Sequence, residues 1–178
     1  MIPYTARLTM LSGIPGCFTH EGPKRAAALL VDKTSTEANN VFGRAFTYTD
    51  EDSETVVAGG EGVFAGIMVH PHAYAIDRDT VLNGTVSEFA QMGEICVAMG
   101  TDSATRGMRV GYLPTTGVLV AMGETGAEDA IEIQGAVVSR HPVSAEKDSD
   151  GRVLAFITLN GPLPVPAPAA ETDPGTGG

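Results

Sequence analysis

The stretch Glu61-Gly-Val-Phe-Ala-Gly-Ile-Met-Val-His70 limits what this chain can become more than any other. Val63, Ala65, Ile67 and Val69 alternate with Phe64, Gly66, Met68 and His70, so a period of two sets apolar groups on both sides. A strand of that kind is covered on both faces, as in the centre of a sandwich or barrel. Gly66 within it marks a bulge or the close approach of another backbone. The expectation is an all-β fold: a compact, jelly-roll-like β-sandwich or barrel of short antiparallel strands, centred on this segment.

Composition points the same way. The chain has 178 residues, a length that suits one domain, and 22 glycines and 11 prolines with only 6% aromatic residues favour short strands and tight turns over helices. Acidic residues outnumber basic ones by 22 to 11, and the resulting formal charge of -11 repels nucleic acid and anionic lipid alike. Neither partner is expected. The first residues lack the apolar core of a signal peptide, and no window approaches the roughly 18 apolar residues of a membrane span, so synthesis and folding in the cytoplasm are expected. Cys17 and Cys96 follow no paired spacing and read as small buried hydrophobes.

Along the chain, residues 1–24 are broken by Pro3, Pro15 and Pro23 and read as an extended arm, whose Ile2, Tyr4 and Leu8 need a surface to pack on. Residues 25–160 form the β-domain. Residues 161–178 are a Pro/Gly-rich tail of polyproline character, in which Leu163 and Val165 are the apolar contact candidates. Inside the domain, residues 24–31 suit a helix or a strand equally. Residues 41–49 read as a strand, and 50–54 as a solvated acidic turn without the glycine and ligand spacing of a calcium loop. Residues 85–99 read as a hairpin about Gln91-Met-Gly93, and 108–122 as another about Pro114-Thr-Thr116. Residues 131–140 form a strand interrupted by Gly135, and 153–159 a last strand that is apolar on both faces.

No reaction chemistry is legible. Gly59-Gly-Glu-Gly62 has the glycines of a phosphate loop but no following Lys and Ser/Thr, and it opens a strand. Cys17, His20, His70 and His72 lack the tight paired spacing of a closed zinc site, and the histidines read as surface or strand-end residues. No catalytic, cofactor-binding or metal residue is assigned, and no cofactor is expected.

The order of elements from Glu21 to Leu159 resembles the bacteriophage structural cement, or capsid decoration, proteins. The matching pieces are Glu21-Gly-Pro23 before a strand, Asn40-Val-Phe-Gly-Arg-Ala-Phe46, Gly62-Val-Phe-Ala-Gly-Ile67 and Val86-Ser-Glu-Phe-Ala-Gln-Met-Gly-Glu-Ile-Cys-Val97. Arg109-Val-Gly-Tyr112, Gly117, Ile133-Gln-Gly-Ala136 and Gly151-Arg-Val-Leu-Ala-Phe156 follow in the same order. Two features depart from the pattern: Cys96 stands where such proteins often carry an aromatic residue, and the tail after Asn160 lies outside it. The resemblance implies a non-enzymatic virion protein on the outer surface of the head. There it would bridge neighbouring major capsid subunits as a homodimer or homotrimer. The alternatives are a tail or fibre β-domain for host or glycan binding, and a small β-fold hydrolase.

Overall fold

The computed structural model describes residues 13–19, 22–50, 54–71, 80–140, 151 and 153–160. They form nine strands: β1 (Arg25–Val31), β2 (Ala45–Tyr48), β3 (Thr55–Ala58), β4 (Phe64–Met68), β5 (Val86–Met99), β6 (Arg109–Tyr112), β7 (Leu119–Ala121), β8 (Ile131–Arg140) and β9 (Val153–Asn160). Among the described residues the one helical turn is a 3-10 turn at Glu37–Asn39, and the fold is all-β as expected. Residues 25–31, balanced between helix and strand on propensity, are a strand because β5 supplies a partner for five successive residues, Ala26 to Leu30, and then, across a bulge, for Arg25. β3 had no counterpart in the sequence reading; its four residues follow directly on the acidic turn.

The expected hairpin over residues 85–99 is instead one strand of 14 residues, β5. Its backbone groups find partners without turning. β1 pairs antiparallel with Val86 to Met92 along one edge, and β9 pairs antiparallel with Met92 to Met99 along the other. Gly93, at φ +123, follows Met92, the residue that both strands pair, and a Cβ there would stand 3.2 Å from both Phe18 and Lys24. The hairpin of β6 and β7 about residues 114–116 forms as expected.

The pairings close two rings that share β5. The first runs β1-β3-β2-β4-β5 and back to β1; the second runs β5-β7-β6-β8-β9 and back to β5. The second ring repeats the first with every strand number raised by four. In each, the opening pair (β1–β3, β5–β7) is parallel and every other pair is antiparallel. In each, the pair β2–β4 or β6–β8 carries a register shift beside a positive-φ glycine, Gly66 or Gly135. The fold is a tandem of two barrels built to one plan, fused through a common strand.

Each ring has its own apolar cluster. Leu29, Val31, Phe46, Val56, Met68 and Phe89 fill the first, with the Phe46 and Phe89 rings meeting edge-on at 5.0 Å. Ile95, Val97, Val110, Tyr112, Leu119, Ile133, Val138, Ile157 and their neighbours fill the second. Ala45, Ile67 and Ala90, on the other faces of β2, β4 and β5, belong to this second cluster, so the wall of the first ring also caps the second. This double duty explains why β4 is apolar on both sides.

The bulge at Gly66 alters the expected alternation. Thr47 pairs with Phe64 and Phe46 with Gly66, so Ala65 is the extra residue. Phe64 therefore faces the second cluster together with Ile67 and Val69, while Ala65 joins Met68 in the first. Val63, placed inward by simple alternation, is 66% exposed.

Two further joints tie the body together. The β6–β7 turn docks on the first ring, with the Gly60 N–H donating to the Pro114 carbonyl and the Ala45 N–H to the Gly117 carbonyl. Gly59 and Gly117, both at positive φ, permit this approach of backbone to backbone. At one end of the first ring, the fully buried Asn40 accepts from Ser35 Oγ (2.6 Å) and donates to the Val81 carbonyl (3.0 Å) and Asn83 Oδ1 (2.7 Å). Asn83 donates onward to the Lys33 and Ser35 carbonyls, so the amide of the Asn83-Gly-Thr85 sequence is committed to holding loops together.

Gly66→Ala puts a Cβ 2.8 Å from the Ala90 carbonyl oxygen at φ +151. A loss of about 2–4 kcal/mol in chemical denaturation is expected. Asn40→Leu strands the Ser35 and Asn83 groups and is expected to cost about 2–3 kcal/mol by the same measurement.

Candidate functional site

Ile2, Tyr4, Leu8, Leu163 and Val165 lie outside the described residues, as do His20 and His72. The described part of the N-terminal stretch, residues 13–19, lies along β5. The Gly16 N–H donates to the Cys96 carbonyl (2.8 Å), the Cys96 N–H to the Cys17 carbonyl (2.9 Å) and the Thr19 N–H to the Glu94 carbonyl (3.0 Å). Phe18 bridges antiparallel to Ile95. The segment thus fills the edge of β5 between the residues paired with β1 and the one paired with β7.

Side chains fix its path. Glu94 receives the Thr19 hydroxyl on one carboxylate oxygen and the Ser139 hydroxyl (2.7 Å) on the other, linking the segment to β8. The His70 N–H donates to the Gly16 carbonyl (2.9 Å), while the His70 ring packs on Phe42 with centroids 4.8 Å apart. Lys24 Nζ stands 5.4 Å from the centre of the Phe18 ring. His70 is therefore an anchor for residue 16.

Beside this anchor is a cleft of about 230 Å³ lined by Gly13, Ile14, Cys17, Phe18, Cys96 and Phe156. Cys17 and Cys96 are both buried free thiols. Burial pushes the Cys17 thiol up, and burial followed by the neighbouring Cys17 pushes Cys96 up to about 12. Such thiols are protonated near neutrality, so neither is an activated nucleophile. Among the described residues no group of three or more His, Cys, Asp or Glu side chains could hold a metal ion.

Exposed large apolar side chains among the described residues are Ile14, Leu30, Val63, Leu82 and Val86, none of them aromatic. An aromatic platform of the sort that stacks on sugars is thus missing from this set.

Comparison with protein families matches residues 2–160 to the family described as "Structural cement protein (E217 gp24/Pam3 gp6)". The chain belongs to the structural cement proteins. Its role in the virion is accordingly a structural one, stabilising a phage capsid in association with capsid proteins. Among solved structures, the fold of this cement protein is similar to a chain in "The capsid of Myoviridae Phage XM1", with a TM-score of 0.65 and 14% identity. The match covers 89% of this chain and 97% of that one, and at this identity it speaks to fold alone. No curated protein sequence matches the cement protein.

The resemblance carried by the strand and glycine motifs is therefore met by the family match. The outer ends of the chain, by contrast, are not reached by the described geometry.

The raised Cys96 thiol has a sign that can be checked. In the unfolded chain a thiol ionises near pH 9, whereas Cys96 holds its proton to about 12. Between these values the unfolded state alone has lost the proton, so stability falls as pH rises from about 9 to 12. Cys96→Ala is expected to flatten this alkaline decline by about 2–4 kcal/mol in denaturant titrations across that range.

Proposed function

We propose that this cement protein sits on the outer surface of the head and bridges neighbouring major capsid subunits as a homodimer or homotrimer, without catalysing a reaction. The observation that carries this reading is the family match over residues 2–160, joined to a body with no open sheet edge in either ring. Closed rings leave no row of free N–H and C=O groups for strand addition. Partners must then be held by side-chain faces, loops and terminal stretches.

In this reading residues 1–24 serve as an N-terminal arm, 25–160 as the β-domain and 161–178 as a C-terminal tail. Ile2, Tyr4, Leu8, Leu163 and Val165 are its contacts. Several weak contacts engaged together tighten binding by roughly a hundredfold to ten-thousandfold. The formal charge of -11 supports the outer face of the shell, away from packaged DNA, and supports a protein without direct nucleic-acid or membrane partners.

The test is co-sedimentation with heads that lack the cement protein, followed by heating. Saturable binding and a raised disruption temperature are expected. Because residues 13–19 hold on to β5, the arm deletion should stop at residue 12. Removal of residues 1–12 or 161–178 is expected to weaken binding at least tenfold. Undiminished binding by both truncated chains rejects the arms, and absence of binding by the intact chain rejects the bridging role.

A further inference from the structure

The outward face of β1 and the first half of β5 breaks the rule that the solvent side of an antiparallel sheet is polar. Among the described strand residues, those exposed outside this ribbon are Arg109, Gln134 and Asn160. Within it they are Ala26, Ala28, Leu30 and Val86, with Arg25 and Glu88. Leu30 pairs directly with Val86 and Ala28 with Glu88, so the exposed apolar groups form one strip. Leu30 is 36% exposed and Val86 63%. The strip stops where Ala90, opposite Ala26, passes beneath the second ring's cluster.

Resting on the bridging role above, we propose that this strip is the face on which a shell subunit docks, through an apolar ridge carrying one Lys or Arg that pairs with Glu88. Charge decides the occupant. Glu88 lies within the apolar strip, and its carboxylate has no partner among the described residues. A carboxylate desolvated by an apolar partner is costly unless a cation meets it. A second copy placed by a two-fold axis through the strip would bring one Glu88 against another, between chains that each carry a formal charge of -11. Four side chains expose only a few hundred Å², well below the roughly 800 Å² per partner of a free-standing dimer. The strip is therefore one contact of several made on an assembled shell.

The test compares intact chains for binding to heads that lack the cement protein. Leu30→Thr/Val86→Thr removes apolar contact while placing strand-favouring β-branched residues at both exposed positions, and Glu88→Lys reverses the central charge. Asp129→Lys, on an exposed turn of the second ring, makes the same change in net charge elsewhere. Both strip variants are expected to bind at least tenfold more weakly with unchanged melting temperatures, and Asp129→Lys to bind as the parent does. Parental binding by the strip variants overturns the proposal and leaves the bridging role standing. Equal weakening by Asp129→Lys overturns it too, by showing that net charge alone matters. If sedimentation velocity shows the free protein dissociating in the strip variants while head binding is kept, the occupant is a second copy and the proposal fails. Failure of the parent chain to bind removes the bridging role, and this proposal with it.

Discussion

Everything in this fold depends on both edges of β5 being occupied. On one edge β1, residues 13–19 and β7 follow in turn; on the other, β4 and β9 lie end to end. A buried strand with an unpaired stretch would leave backbone groups without partners in an apolar setting. The two rings can fuse through a single strand because each supplies partners where the other stops. The N-terminal segment fills the remaining gap, and Glu94 and His70 hold it there.

The sequence was most readable where one strand has one partner geometry. The β6–β7 hairpin, β8 and β9 could be placed from turn residues and alternation. β5 could not, because Gln91-Met-Gly93 has the composition of a turn; only the pairings with β1 on one edge and β9 on the other, a long-range fact, keep it a single strand there. The tandem plan was hidden for a related reason. Its fixed points are few, chiefly Gly66 with Gly135 and the strand-end tyrosines Tyr48 and Tyr112, and the remaining positions ask only for some apolar residue. The docking strip was hidden by its alanines, which look like helix formers until β1 is known to be a strand.

Binding and folding are divided between different parts of the molecule. Interior positions are spent on two clusters and the wall between them, leaving little apolar surface elsewhere on the described strands. Closure of both rings also protects the protein from edge-to-edge aggregation at the high local concentrations reached on a shell. An exposed Leu30–Val86 pair on such a body stands out as a surface kept for a partner.

The shared strand also has a mechanical meaning. A capsid under internal pressure pulls its seams apart, and a clamp across a seam feels tension between its two halves. Where that tension runs along β5, the hydrogen bonds to β1 and β9 lie across the line of pull and bear it side by side, so none is peeled away before the rest. A hinge or linker between two barrels would give way at its weakest bond; a common backbone spreads the load over its length.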